Sequence, residues 1–110
     1  MNETIVIRYE THPDAADENQ RLIEDVFAEL QTGNPDGLRY ASFRLADGVS
    51  FMHIAVVEGT ENPLFSIPAF QRFTRTIGER LSRSPVQQDA TLIGSYRFPQ
   101  ARPSVAEGRD

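Results

Sequence analysis

The chain has 110 residues, of which 39% are hydrophobic and 25% charged, as in a single soluble domain with a modest core. It contains no cysteine and no lysine, which excludes disulfides, cysteine-held zinc or iron–sulfur centres, thiol nucleophiles, lysine Schiff bases and a P-loop lysine. A net charge of -5 speaks against a nucleic-acid backbone as partner, and no apolar run reaches the roughly 18 residues of a membrane span.

Met1-Asn2-Glu3-Thr4 has none of the features of a signal peptide, so a cytoplasmic location is expected. Thr4 to Glu10 alternates as a first strand, with Ile5, Ile7 and Tyr9 on one face and Val6, Arg8 and Glu10 on the other. After the break at Thr11-His12-Pro13, Asp14, Asp17 and Glu18 place negative charge at the start of a helix. Leu22, Ile23, Val26, Phe27 and Leu30 form its apolar stripe, and Gly33 is the expected stop. Asn34-Pro35-Asp36-Gly37 then reads as a turn.

Leu38 to Leu45 is the second strand and Val49 to Glu58 the third, a stretch apolar on both faces with His53 in its middle. Asp47-Gly48 between them predicts a type I′ hairpin. Gly59 to Leu64 is a loop. Phe65-Ser66-Ile67-Pro68 opens a second helix, with Ser66 as N-cap and Phe65 and Phe70 placed as a hydrophobic staple. Phe70, Phe73, Ile77 and Leu81 continue its stripe, and Arg72, Arg75, Arg80 and Arg83 populate its wet side and last turns. Ser84-Pro85 ends it, and Gln88 to Phe98 is the fourth strand.

The order strand, helix, strand, strand, helix, strand predicts an α+β, ferredoxin-like βαββαβ domain over residues 1–98: a four-stranded antiparallel sheet with both helices on one face, followed by a polar tail over 99–110. The helix-facing side is expected to be Ile5, Ile7, Phe43, Met52, Ile54 and Val56. The opposite face would then carry Val6, Arg8, Tyr40, Arg44, Phe51, His53, Ala55 and Val57, an apolar surface that a monomer rarely leaves in water. A homodimer with its two sheets face to face, enclosing a cavity lined by those residues, covers it.

The element order, the H-I-A-V-V strand (His53 to Val57), the N-P-L loop (Asn62 to Leu64), the A-F-Q-R-F helix (Ala69 to Phe73) and the closing G-S-Y-R-F (Gly94 to Phe98) resemble the antibiotic biosynthesis monooxygenase-like proteins of the dimeric α/β-barrel superfamily. The resemblance covers about residues 4–98. It implies a homodimer with a pocket between sheet and helices or within the barrel; some members oxidise quinols or polycyclic aromatics with no cofactor, others degrade haem, and many have no known activity. The superfamily's haem-degrading branch relies on an Asn, Trp and His set, and this chain has no Trp.

His53 is the candidate catalytic residue: an imidazole of tunable pKa can take a phenolic proton and leave an anion that reacts with O2. Its alternative is a core histidine that donates one hydrogen bond to a neighbouring strand or to the partner subunit. Arg8 and Arg44 can hold a carboxylate or phenolate, or else pair with acids such as Glu10 and Glu58. Tyr40 and Phe51 complete the expected substrate-binding set. His12 and His53 lack a carboxylate at ligand spacing, so no metal site is expected. Beside the enzyme stand two other readings from the same strands: a non-catalytic dimer that binds a small hydrophobic ligand or a partner, and a structural dimer with a filled lumen.

Overall fold

The computed structural model describes residues 2–98, so the tail expected over 99–110 lies outside the described residues. Strands β1 (Asn2–Glu10), β2 (Leu38–Arg44), β3 (Ser50–Glu58) and β4 (Val86–Ala90) form one antiparallel sheet in the order β2-β3-β1-β4. Helices α1 (Ala16–Gly33) and α2 (Pro68–Thr76) pack on one face of it. This is the ferredoxin-like architecture predicted from the element order.

Helix α1 follows a single 3-10 turn, Pro13–Ala15, and buries Ala16, Asn19, Ile23 and Val26 on one stripe. It ends one residue later than expected: Gly33 is still helical, and Asn34 takes the left-handed conformation (φ 48°) while its N–H bonds the Leu30 carbonyl. Asparagine tolerates that region better than most residues. Helix α2 also opens later than predicted. Pro63–Ser66 forms a 3-10 turn capped by the Asn62 side chain, and Ile67, not Ser66, precedes α2. The Ser66 hydroxyl is directed back to the Pro63 carbonyl. The amide of Ala69 at the start of α2 is instead capped from outside, by Glu29 Oε1 of α1 at 2.9 Å. The predicted Phe65–Phe70 contact is present, with ring centroids 6.1 Å apart.

The β2–β3 connection is not a type I′ turn. Gly48 alone has positive φ there (81°); Asp47 does not. Asp47 instead uses its carboxylate, which accepts from the amides of Val49 and Ser50 and from the Ser50 hydroxyl. These bonds, the Ser50 hydroxyl foremost, hold the Asp47 carboxyl below its usual pKa. Side-chain bonding of this kind replaces the backbone geometry that two left-handed residues would supply.

Facing of the sheet differs from expectation. Directly paired residues share a face, and the register sets Ile5 opposite Ala55, Ile7 opposite His53 and Tyr9 opposite Phe51. The helices therefore cover Ile5, Ile7, Tyr9, Phe51, His53, Ala55 and Val57, joined by Leu38, Tyr40 and Ser42 of β2. Met52, Ile54, Val56 and Phe43 lie on the outer face with Val6 and Arg8. Hydrophobicity could not choose, because both faces of β3 are apolar. The helix side wins Phe51 and His53 because the ring of Phe51 fills the core and His53 finds its partners there.

The fourth strand is shorter and earlier than predicted. It pairs Val86 with Arg8 through to Ala90 with Thr4, after which β1 has only two further residues to offer. Residues 91–98 leave the sheet, with Leu92, Ile93, Tyr96 and Phe98 exposed. Phe98 nonetheless stacks on Phe43 at 6.0 Å. The segment thus reaches from the β4 edge to the β2 edge on the outer face.

Candidate functional site

Between the helix-covered side of the sheet and α2 lies a pocket of about 360 Å³. Its walls are mostly apolar: Ile5, Ile7 and Ala55 from the sheet, Leu64 and Phe65 from the loop before α2, and Phe70 and Phe73 from α2. His53, Tyr9 and Tyr40 supply its polar floor, with Asn62, Gln71, Thr74 and Gln87 around it. A mainly apolar cleft with a few convergent polar groups is the usual form of a small-molecule site.

His53 is 4% exposed, and both ring nitrogens are engaged. Nε2 lies 2.7 Å from the Tyr9 hydroxyl; Nδ1 lies 2.8 Å from both the Tyr40 and the Ser42 hydroxyls. The register explains the set. Ser42 is directly opposite His53 on β2, while Tyr9 and Tyr40 are its diagonal neighbours on β1 and β2. The rings stack as well, with centroids 5.3 Å (Tyr9) and 5.9 Å (Tyr40) from that of His53.

Behind Tyr9 the network continues away from the pocket. Asn19 Nδ2 donates to the Tyr9 hydroxyl at 2.9 Å, and Arg80 Nε donates to Asn19 Oδ1 at 2.8 Å. Arg80 also donates to the Thr76 hydroxyl and the Phe73 carbonyl, and lies over the Phe73 ring. Its residue exposure is 3%, which corrects its expected place on the wet side of the second helix. The 3-10 turn Ile77–Glu79 after α2 rotates it inward, and His12 N–H bonds its carbonyl to fix the backbone there.

Burial sets the acid–base character of the site. It pulls His53 down to about 4, so the imidazole is neutral at pH 7. It pushes Tyr40 up to about 12, with the Ser42 hydrogen bond acting the other way, and it raises Tyr9 too, against the hydrogen bond from Asn19. Burial also lowers Arg80, although a guanidinium stays charged at any ordinary pH. The floor of the pocket is therefore neutral, and the charge sits two side chains behind it.

Of the residues singled out from the sequence, the structure brings His53 and Tyr40 together in the pocket. Phe51 is 1% exposed beneath Tyr9 and Arg44, in the core and away from the pocket lining. Arg44 is on the helix side but turned toward α1, bonded to Asp17, Gln20 and the Gly48 carbonyl. Arg8 is exposed on the outer face. Sequence reasoning misses Tyr9, Asn19 and Arg80 as members of the site. For Asn19 a signal exists: it stands four residues before Ile23, in the apolar stripe. Among the described residues there is no cluster of three or more metal-ligating side chains, and no helix is long and apolar enough to cross a membrane.

No family model matches the sequence, and no curated protein matches it either. Solved structures do. Rv0793 from Mycobacterium tuberculosis superposes with a TM-score of 0.68 at 19% identity, over 86% of this chain and 98% of that one. A candidate antibiotic biosynthesis monooxygenase from Caulobacter crescentus gives 0.69 at 14% identity, over 84% and 91%. SnoaB, a cofactor-independent oxygenase from Streptomyces nogalater solved as an asparagine-to-alanine variant, gives 0.60 at 20% identity, over 86% and 95%. The chain has the ferredoxin-like fold of the antibiotic biosynthesis monooxygenase-like structures.

Proposed function

We propose that the pocket binds a small aromatic or quinol substrate and that the chain is a cofactor-independent monooxygenase, with His53 as the residue that handles the substrate proton and Tyr40 as a residue that holds the substrate oxygen. The observation that carries this is the neutral imidazole at the floor of an otherwise apolar pocket, linked to two tyrosine hydroxyls that line the same space. A flat apolar ring fits such walls. An unprotonated imidazole can receive the substrate proton by way of the Tyr9 hydroxyl, which lines the same pocket: its oxygen takes the substrate proton as its own passes to Nε2. Loss of that proton leaves an electron-rich carbon framework that O2, the oxidant, can attack. The fold shared with SnoaB, itself a cofactor-independent oxygenase, supports the reading.

The working unit in this proposal is a homodimer that covers the outer sheet face. The test is O2 uptake with a panel of hydroxynaphthalenes and anthrone, in the wild type and in His53→Ala. Uptake that falls by roughly 10²-fold or more in the variant is the expected result; equal uptake sinks the role of His53.

A second reading has its own observation. Both nitrogens of His53 already have partners within the chain itself, as in a core histidine. A non-catalytic binding dimer would retain ligand in the pocket and consume no O2 with any member of the panel.

A further inference from the structure

The hydrogen bonds behind the pocket all run in one direction, and their direction is set by a residue that never touches the pocket. A guanidinium only donates, so Arg80 Nε fixes Oδ1 of Asn19 as the acceptor facing it. The amide nitrogen of Asn19 must then face Tyr9, whose oxygen accepts from it at 2.9 Å. Among the described residues, the remaining partner of the Tyr9 hydroxyl is His53 Nε2 at 2.7 Å. The Tyr9 proton therefore goes to Nε2, which must be bare. A neutral imidazole with a bare Nε2 carries its proton on Nδ1. That proton is shared by the Ser42 and Tyr40 oxygens, each 2.8 Å away. Tyr40 is the end of the line, with its own O–H left to give, and it lines the pocket.

We propose that the Arg80–Asn19–Tyr9–His53 chain turns Tyr40 into a committed hydrogen-bond donor, so that the pocket selects apolar ring compounds bearing an acceptor oxygen, a carbonyl or phenolate, and that Arg80 and Asn19 are the positioning residues for that selectivity. This rests on the reading of the pocket as a substrate site, and it adds which end of the ligand enters first. An acceptor oxygen meets a waiting donor. A group that can only donate meets the same donor, and a bare hydrocarbon leaves the Tyr40 hydroxyl unpaired in an apolar space.

The experiment has two independent arms. In the first, ¹⁵N NMR reads the tautomer of His53, assigned by its loss in His53→Gln. The wild type is expected to show protonated Nδ1 and bare Nε2. In Asn19→Asp the new carboxylate accepts from Arg80 and also from the Tyr9 hydroxyl. Tyr9 then has no proton to offer His53, and the tautomer inverts to protonated Nε2. A merely structural role for Asn19 would not move that signature. Protonated Nε2 in the wild type, or no inversion in a folded Asn19→Asp variant, overturns the proposal. In the second arm, calorimetry compares 9-fluorenone with fluorene, the same ring system without the carbonyl. A preference of about tenfold for the ketone, lost in Tyr40→Phe, is expected. Equal binding overturns the donor assignment and leaves the pocket as a binding site. Absence of binding by either compound overturns both this selectivity and the substrate-site reading beneath it.

Discussion

The Tyr9 hydroxyl sits 2.7 Å from Nε2 of His53, across the β1–β3 ladder, with each residue 4% exposed. Two polar side chains on the core side of a small sheet are stable there because each completes the other. Tyr9→Phe removes one oxygen and strands two groups at once, Asn19 Nδ2 and His53 Nε2. Urea unfolding should show a loss of about 1–3 kcal/mol. Tyr96→Phe, in a side chain that is 79% exposed, serves as the control and should stay within about 0.5 kcal/mol of wild type. Equal effects for the two would mean that the network contributes nothing.

The same burial makes stability depend on pH with a definite sign. His53 titrates at about 4 in the folded chain and near 6.5 when unfolded. Between those values the unfolded chain binds the extra proton, so stability rises with pH across that window. The contribution is complete above about pH 6.5 and is lost as pH falls to about 4. Its size is on the order of 3 kcal/mol, because each tenfold difference in proton affinity between the two states is worth about 1.4 kcal/mol. The difference in urea stability between wild type and His53→Gln, followed from pH 7 to pH 4, isolates this residue from the carboxylates. A difference that does not change with pH would show that His53 is not held neutral by the fold.

The fold is legible because its signals are local. Strand alternation in β1, the stripe of α1 and the turn residues at 34–37 and 47–48 each announce themselves within a few positions. The site is only half legible. His53 and Tyr40 stand out as polar groups in apolar strands, but the side of the sheet they face depends on register, and β3 is apolar on both sides. Arg44 and Phe51 share the core side with His53 yet point toward α1, a distinction along the strand that parity does not carry. A helical wheel extended past Thr76 sends Arg80 to solvent, but the chain tightens there into a 3-10 turn. Its partner Asn19 lies 61 residues away, and no window of sequence joins them.

The contact between Glu29 and the start of α2 ties the two helices together. Glu29 Oε1 accepts from the Ala69 amide at 2.9 Å, and Oε2 lies 3.6 Å from the Arg72 guanidinium. A carboxylate at a helix N-terminus satisfies an amide that has no partner within the helix, and it complements the dipole. Glu29→Ala should cost about 0.5–2 kcal/mol, as loss of an N-cap does. Glu29→Gln, which keeps an acceptor and loses the charge, should recover part of it. Thermal unfolding of the two variants side by side checks this, and an unaltered midpoint in Glu29→Ala would remove the contact from the account of helix docking.

Access to the pocket can be closed without disturbing the core. Thr74 lies on the exposed side of α2 and still contributes to the lining. A Thr74→Trp variant places a large ring over the opening. Stability should change by no more than about 0.5 kcal/mol, while binding of a tricyclic aromatic, read by calorimetry, should weaken by roughly tenfold or more. Unchanged affinity would place the ligand elsewhere on the molecule.

The outer face of the sheet bears on the assembly. Val6, Ala41, Phe43, Met52, Ile54 and Val56 share that face, and Leu92, Ile93, Tyr96 and Phe98 of the departing segment are all exposed. Contiguous apolar surface of this extent is costly in water and is usually covered by a partner. A second copy of the chain presents a matching surface and gives a closed two-fold contact. Sedimentation at micromolar concentration should therefore find a dimer. Ile54 is at the centre of the face, paired with Val6 on one side and Ala41 on the other, so Ile54→Glu should yield a monomer with unchanged circular dichroism. A wild type that sediments as a monomer would refute the assembly while leaving the pocket intact, because its walls come from one chain alone.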